Sequence, residues 1–311
     1  MTRAVVFAYH DVGVRCLSVL LAHGVDVGLV VTHQDNPNEN IWFQSVAALA
    51  RLHGIPIVTP DDPNSDALLQ QVRSLAPRFL FSFYYRSMLG PALLSLVEGR
   101  AYNMHGSLLP QYRGRVPVNW AIINGERHTG ATLHEMVEKP DAGRIVDQQA
   151  VPILPNDLAV DVFRKVTTAA EIVLDRSLPA LLAGTAVLRA QDLASGKYYG
   201  GRRPEDGRID WTWDALRIHN LVRAVAPPYP GAYADVAGRR LEILQTYYRG
   251  TRGGRGSGPA LRAQDGELLL TGADGVELMV LAARLDGVAL TPENFTRVAG
   301  GDRLSFARIE Q

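Results

Sequence analysis

Residues 101–119 read AYNMHGSLLPQYRGRVPVN, a short apolar run that passes directly into a polar loop. Asn103 and His105 lie two residues apart, so on an extended chain their side chains point to the same side. An imidazole can carry a proton near neutral pH, and an amide can donate a hydrogen bond to a developing oxyanion. Taken alone, Asn-x-His would rather indicate a buried histidine that caps a strand, but the rest of the stretch predicts a catalytic pair at a strand end.

On the N-terminal side of this stretch, apolar strand patterns alternate with amphipathic helix patterns. The predicted strands cover residues 3–9, 26–32, 55–59 and 79–84, and the predicted helices cover 14–22, 41–53, 66–76 and 91–98. Continuous apolar strands between helices are typical of a parallel sheet with both faces covered. We therefore predict a Rossmann-like α/β domain with a mostly parallel sheet, whose ligands bind at the carboxyl ends of its strands.

On the C-terminal side, the patterns change toward β structure. Two β-rich runs, a long helix, a shorter helix and four short strands are predicted over 128–138, 145–153, 158–183, 214–225, 231–236, 240–247, 267–271 and 275–281. Short strands separated by turn signals favour a small β-barrel or sandwich. The predicted organisation is a catalytic domain over 1–190, a charged, glycine-rich linker over 191–208 and a β domain over 209–311.

Charge and hydropathy argue against several classes of protein. Lys and Arg number 32, as do Asp and Glu, and a chain with zero formal net charge is a poor candidate for sequence-independent nucleic-acid binding. No run approaches the roughly 20 apolar residues of a membrane span, and the N-terminal apolar run is too short for a signal peptide. The single Cys16 cannot form an intrachain disulfide. A soluble cytoplasmic protein is expected.

Neither a nicotinamide cofactor nor a metal is predicted. No Gly-x-Gly-x-x-Gly follows the first strand, and the glycine cluster at 250–258 lies between strand patterns, where it predicts a flexible hairpin loop. His128 and His134 are evenly spaced on one predicted strand but have no obvious carboxylate partner. No cluster of side chains has the spacing of metal ligands.

The pattern Asn-x-His-x-Ser-Leu-Leu-Pro, with Tyr-Arg-Gly after it and Asp-Ala-Gly further on, resembles the 10-formyltetrahydrofolate-dependent formyltransferases. Four other stretches are similar to the branch that formylates UDP-4-amino-4-deoxy-L-arabinose: FAYHDVG at 7–13, THQDNPNEN at 32–40, FSFYYR at 81–86 and GRRPEDG at 201–207. The resemblance runs nearly end to end. It implies an OB-like second domain, and formyl transfer to the 4-amino group of a UDP-linked aminopentose for lipid A modification and polymyxin resistance.

The same resemblance implies roles for individual residues. His105 would be the general acid, Asn103 would donate to the oxyanion, and Asp141 would be the third catalytic residue, with 10-formyltetrahydrofolate as co-substrate and no metal. The folate would lie against Ser87, Met88, Leu89, Arg115, Val137, Glu138, Lys139 and Pro140. The nucleotide sugar would lie against Tyr9, His10, Arg202 and Arg203. Planar guanidinium groups suit a pyrophosphate, although an arginine pair in a polar segment can equally be solvated charge.

Several alternatives share this chemistry or this scaffold. The acceptor could be a dTDP-linked 4-amino sugar or methionyl-tRNA, and a related hydrolase releases formate from the folate. A non-catalytic folate- or nucleotide-binding module is an alternative of another class, although it would have no use for Asn103, His105 and Asp141 together. The acidic loop 33–40 and the neutral chain favour a sugar nucleotide over tRNA. The sequence does not indicate an oligomeric state.

Overall fold

The computed structural model describes residues 3–250 and 258–306, and the chain divides into two compact units. The first unit comprises Met1–Pro117, His128–Val151 and Phe163–Gly200, and the second comprises Val118–Arg127, Pro152–Val162 and Gly201–Gln311. The units therefore interleave along the sequence, because residues 118–127 and 152–162 fall inside the predicted catalytic domain but belong to the second unit. The boundaries set from the sequence at 190 and 208 stay a prediction.

The N-terminal half follows the predicted alternation of strands and helices. Its elements are β1 Arg3–Ala8, α1 His10–Ala22, β2 Asp26–Val31, α2 Val46–Leu52, β3 Ile57–Val58, α3 Asp66–Ser74, β4 Phe79–Phe83, α4 Pro91–Leu94 and β5 Ala101–His105. The elements that follow are β6 Arg113–Gly114, α5 Pro117–Ile123, β7 His128–Glu135, β8 Ile145–Pro152, α6 Ala159–Ala183 and β9 Tyr198–Tyr199. The short strands β6 and β9 and helix α5 were not predicted.

One seven-stranded sheet, in the order β3-β2-β1-β4-β5-β7-β8, organises the first unit. The first five strands in this order, from β3 through β2, β1 and β4 to β5, pair in parallel. Strand β7 pairs with β5 in the antiparallel direction. The predicted Rossmann-like fold with a mostly parallel sheet is confirmed. Strand β4, FLFSF, is buried at every position, as expected of a central strand in a sheet covered on both faces.

Two helices begin at places that the apolar periodicity does not mark. Helix α1 begins at His10, whose φ of 67° makes a tight turn directly after β1, and not at the predicted residue 14. Helix α2 begins at Val46 and not at residue 41, because the Ser45 side chain accepts a hydrogen bond from the Ala48 N–H at 3.2 Å and caps the first turn. The loop after β2 is correspondingly longer than predicted.

The second unit contains an antiparallel sheet in the order β10-β11-β14-β13-β12-β16, which confirms the predicted small β domain. Its elements are α7 Ala215–Val225, β10 Ala232–Val236, β11 Arg239–Tyr247, β12 Ala260–Gln264, β13 Glu267–Thr271, β14 Glu277–Leu285, β15 Val288–Ala289, α8 Phe295–Ala299 and β16 Arg303–Ser305. The hairpin loop predicted at 250–258 lies mostly outside the described residues. Among residues 3–250 and 258–306, no helix is long and apolar enough to cross a bilayer.

Helix α7 carries a buried histidine that should make the second unit sensitive to acid. His219 is fully buried; its Nε2 contacts the Pro155 carbonyl at 2.9 Å and its Nδ1 contacts Thr246 Oγ1 at 2.7 Å. Burial lowers the pKa of His219 to about 4, so the unfolded chain binds a proton that the folded chain does not. The associated stability is present above pH 6.5, and about 3 kcal/mol of it is lost as the pH falls to 4.

We expect His219→Gln, which keeps a donor for the Pro155 carbonyl, to reduce this pH dependence. The measurement is the free energy of unfolding of both proteins in urea, at pH 7 and at pH 4.5. The loss of stability between these pH values in wild type, compared with the loss in the variant, isolates the contribution of this one group. Equal loss of stability in both proteins would show that His219 does not link folding to protons.

Candidate active site

Strands β5 and β7 place three functional side chains on one face of the sheet. Asn103 on β5 lies directly opposite His134 on β7, and residues opposite each other in a pair share a face. His105, two residues after Asn103, shares that face as predicted. Asn103 Nδ2 and His134 Nε2 are 3.0 Å apart. The sheet itself therefore fixes an amide and two imidazoles side by side.

The loop between β7 and β8 brings a carboxylate to the same place. Asp141 Oδ1 lies 3.6 Å from His105 Nδ1 and 3.5 Å from His134 Nε2. Its other oxygen, Oδ2, accepts a hydrogen bond from the Gly114 N–H at 2.8 Å. The structure thus brings together Asn103, His105 and Asp141, the three residues selected from the sequence.

The local sequence explains why the loop returns here. Asp141 has a φ of 52°, a left-handed conformation that aspartate tolerates better than most residues. A Cβ at Gly143 would lie 1.9 Å from the Glu135 carbonyl oxygen, so only glycine fits there. Arg144 then pairs with the Glu135 carboxylate through two 2.9 Å hydrogen bonds. The Asp-Ala-Gly motif therefore allows the chain to turn tightly and to pack its backbone against the end of β7.

The electrostatics of the cluster keep Asp141 ionised. Burial alone would raise the pKa of Asp141, but the neighbouring His105 and His134 imidazoles and the Gly114 N–H hold that pKa well below its ordinary value. A carboxylate with such a low pKa is a weak proton acceptor. Its contribution is a fixed negative charge beside the two imidazole rings.

Hydrogen bonds fix which nitrogen of His105 faces the site. The ring is 6% exposed, and its Nε2 lies 2.8 Å from the Tyr112 carbonyl, an acceptor, so Nε2 carries a proton. The other nitrogen, Nδ1, is the one that faces Asp141. Proton exchange with a ligand would therefore take place at Nδ1.

His134 was not selected from the sequence, and the expectation that it has no carboxylate partner was wrong. Its Nδ1 donates to the Glu135 carbonyl at 2.9 Å, so Nε2 of the neutral ring is an acceptor. An acceptor at this position selects the nitrogen of the Asn103 amide, not its oxygen. His134 thereby turns the Asn103 amide so that its second N–H can point into the site. Only the pairing of β7 with β5 reveals this contact.

We expect His134→Phe to lower kcat by about a hundredfold, because the Asn103 amide loses the partner that orients it, and positioning errors near 1 Å cost that much. His134→Gln retains an acceptor oxygen near the position of Nε2, so its kcat should stay within about tenfold of wild type. Steady-state kinetics of both variants give the comparison, and His128→Gln, an exposed position on the same strand, is the control. Equal rates for the Phe and Gln variants would contradict an orienting role.

The residues predicted to bind a folate lie in the loops after β4 and β7 and, for Arg115, between β6 and α5. Asn64 holds the first loop by donating to the Met88 carbonyl at 3.0 Å and accepting from the Gly90 N–H at 2.6 Å. Met88 is 55% exposed, whereas Leu89 is packed in the core. The remaining predicted positions are the half-buried Ser87 and Pro140 and the exposed Arg115, Val137, Glu138 and Lys139.

Tyr9 and His10, predicted to bind the nucleotide sugar, lie in a group of aromatic rings in the first unit. Tyr9 is buried and its hydroxyl donates to Asp35 at 2.7 Å. His10 stacks on Phe43 with ring centroids 3.8 Å apart. Burial, helped by the Arg86 charge, lowers the pKa of His10 to about 3. His10 is therefore neutral at physiological pH and cannot supply positive charge to a phosphate.

Arg202 and Arg203, the other predicted substrate residues, belong to the second unit. The Arg202 guanidinium lies over the Trp120 ring, 4.9 Å from its centroid, and donates to the Asp206 carbonyl at 2.7 Å. Arg203 is exposed, and its N–H donates to the Asp206 side chain at 2.7 Å. In the described parts of the chain, no group of three or more His, Cys, Asp or Glu side chains could hold a metal ion.

Comparisons with known proteins match both halves of the chain. A family model described as formyl transferase matches residues 17–178, and a model of the formyl transferase C-terminal domain matches residues 202–300. The chain is similar to an N-formyltransferase from Helicobacter canadensis in complex with folinic acid and dTDP-3-aminofucose. The TM-score is 0.74, the sequence identity is 20%, and the match covers 90% of this chain and 99% of that one.

Two further solved structures show the same fold. WlaRD, a sugar 3N-formyl transferase with dTDP and 5-N-formyl-THF, matches with a TM-score of 0.72 and 20% identity over 90% of this chain and 97% of its own. Phosphoribosylglycinamide formyltransferase from Bacillus halodurans matches with a TM-score of 0.52 and 26% identity over 58% of this chain and 96% of its own.

Proposed function

Because this chain belongs to the formyl transferase family, we propose that it transfers the formyl group of 10-formyltetrahydrofolate to the 4-amino group of a UDP-linked aminopentose. The observation that supports this function most is the cluster of Asn103, His105 and Asp141 on one face of the sheet. Acyl transfer to an amine needs an oxyanion donor and a proton carrier with a charge partner, and this cluster supplies all three.

In the proposed reaction the neutral amine attacks the formyl carbon, and the carbonyl oxygen becomes an oxyanion. Asn103, oriented by His134, donates its remaining Nδ2–H to that oxygen. His105 Nδ1 takes the proton released by the amine nitrogen and delivers it to the departing folate nitrogen. Asp141 stabilises the imidazolium between these two steps, so no net proton is gained or lost.

Two loops of the first unit carry most of the residues proposed to bind a folate co-substrate. The Asn64-bound loop carries the exposed Met88 side chain, and Val137, 39% exposed, lies in the loop that also carries Asp141. An apolar edge with main-chain groups beside it suits a flat, polar ring system. We propose that Ser87, Met88, Leu89, Arg115 and residues 137–140 hold the folate, and that this brings its formyl group to Asn103 and His105.

A nucleotide-linked amino sugar is the acceptor class that the comparisons support, because sugar N-formyltransferases share the fold over nearly the full chain. The choice of a UDP-aminopentose as acceptor rests on the sequence similarity to that branch in the stretches at 7–13, 32–40, 81–86 and 201–207. A dTDP-linked amino sugar is the second candidate, since dTDP or a dTDP-sugar accompanies both of these neighbours. Tyr9, His10, Arg202 and Arg203 stay proposed contacts of the nucleotide sugar.

A competition assay tests the acceptor. The protein and 10-formyltetrahydrofolate are incubated with equal amounts of UDP-4-amino-4-deoxy-L-arabinose, a dTDP-4-amino sugar and methionyl-tRNA, and the formylated products are identified by mass spectrometry. We expect the UDP sugar to be formylated first. Preferential formylation of the dTDP sugar would identify the dTDP-linked amino sugar as the acceptor in place of the UDP sugar. Formylation of tRNA alone would contradict a sugar acceptor.

A further inference from the structure

The segment 189–199, predicted as the end of the catalytic domain and the start of a linker, is bound along its length to the loops that surround Asp141. Arg189 and Ile145 exchange two backbone hydrogen bonds of 2.8 Å. Further on, β9 pairs with β6, where the Arg113 N–H donates to the Lys197 carbonyl at 3.1 Å. We call residues 189–199 the strap. One end of the strap meets the loop that carries Asp141, and the other meets the strand that donates to it.

The single glycine of the strap, Gly196, marks a close backbone contact. A Cβ at Gly196 would lie 1.9 Å from the Pro110 carbonyl oxygen. The buried guanidinium of Arg113 donates to the carbonyls of Leu193 and Gly196, at 3.1 and 2.9 Å. Gly196 and Arg113 therefore both serve packing of the strap, whose residues 191–199 lie within the predicted linker over 191–208.

The Gln191 side chain of the strap donates to the Asp141 loop itself. Its Nε2 donates to two backbone carbonyls, that of Asp141 at 3.0 Å and that of Gly143 at 2.5 Å. Because both partners are acceptors, the amide nitrogen must face them. The Gln191 Oε1 atom is buried and has no hydrogen-bond partner in the structure. The two bonds to the loop are thus what the side chain contributes.

We propose that Gln191 is a positioning residue for formyl transfer, which holds the Asp141 carboxylate against His105 and His134 by fixing the backbone at Asp141 and two residues after it. The inference rests on the proposed role of Asp141. Gln191 touches neither reacting group, and it acts on a loop whose φ of 52° at Asp141 needs external support to persist. A loop released from Gln191 would let the carboxylate drift from the 3.6 Å contact with His105.

The test is a double-mutant cycle with Gln191→Met, which keeps the shape of the side chain and removes both donors. We expect kcat to fall by about ten- to a hundredfold with the KM for folate and acceptor nearly unchanged. In an Asp141→Asn background the same substitution should have little further effect, because the group that Gln191 positions is already lost. A purely structural role would lower kcat by the same factor in both backgrounds. Gln245→Met, at a half-buried position on β11, is the matched control.

The outcomes separate this inference from the proposed function. If Asp141→Asn is inactive but Gln191→Met retains the wild-type kcat, the positioning role is wrong and the function stands. If Asp141→Asn itself retains full activity, or the wild-type protein transfers no formyl group, the proposed function is wrong. Additive losses in the cycle would overturn the positioning role as well. Thermal unfolding of all four proteins excludes loss of folded enzyme as the cause of a low kcat.

Discussion

Replacing Asp141 by asparagine is expected to lower kcat by about a thousandfold, with the KM for the folate little changed. Asparagine fits the left-handed backbone and can still accept from the Gly114 N–H, so the loop should keep its shape. What disappears is the negative charge that we propose stabilises the His105 imidazolium during proton transfer. The effect should therefore fall on the chemical step and not on binding.

The matched control is Asp265→Asn, because Asp265 also has a positive φ, 51°, and lies exposed in a turn of the second unit. The measurement is kcat and KM for both substrates, together with the binding of 5-formyltetrahydrofolate followed by fluorescence. A kcat within about tenfold of wild type would contradict a role of Asp141 in the mechanism, because loss of a general acid–base partner lowers kcat by more than that.

Replacing His105 by glutamine is expected to have an equal or larger effect, a loss of about a thousand- to ten-thousandfold in kcat. Glutamine can keep a donor for the Tyr112 carbonyl, so this buried carbonyl keeps its hydrogen bond, but glutamine cannot carry the proton that we propose moves through Nδ1. The pH dependence that remains should differ from that of wild type, because glutamine cannot take up and release a proton in place of the imidazole.

His128→Gln is the control for this variant as well, since His128 is exposed at the start of β7. The measurement is the pH profile of kcat for wild type and both variants. An unchanged profile in His105→Gln would mean that another group moves the proton, and the assignment of His105 as the proton carrier would have to be withdrawn.

The fold and half of the site follow from short-range patterns in the sequence. Apolar strands that alternate with helices indicate the sheet, and a spacing of two residues is enough to place Asn103 and His105 on one side. These inferences hold because they depend on the geometry of a single strand. The second domain is predictable for the same reason, since its strands alternate and end at turn residues.

The rest of the site depends on pairing between distant segments, which no local pattern specifies. His134 faces Asn103 only because β7 enters the sheet antiparallel to β5. Gln191 reaches the Gly143 carbonyl across 48 residues of sequence. The glycine content of its segment suggests flexibility, whereas Gly196 is there because the Pro110 backbone approaches closely. Composition cannot distinguish a flexible glycine from a tightly packed one.

The most direct test of this account is a single-turnover experiment with 10-formyltetrahydrofolate that carries an isotopic label in the formyl carbon. Wild-type enzyme in excess is mixed with the labelled folate and the UDP-aminopentose, and the label is followed by mass spectrometry beside Asp141→Asn. We predict that wild type moves the label to the sugar amine. The variant should bind as much folate as wild type but transfer the labelled formyl group at least about a hundredfold more slowly. Label released as formate, or equal transfer rates in the two proteins, would contradict the account.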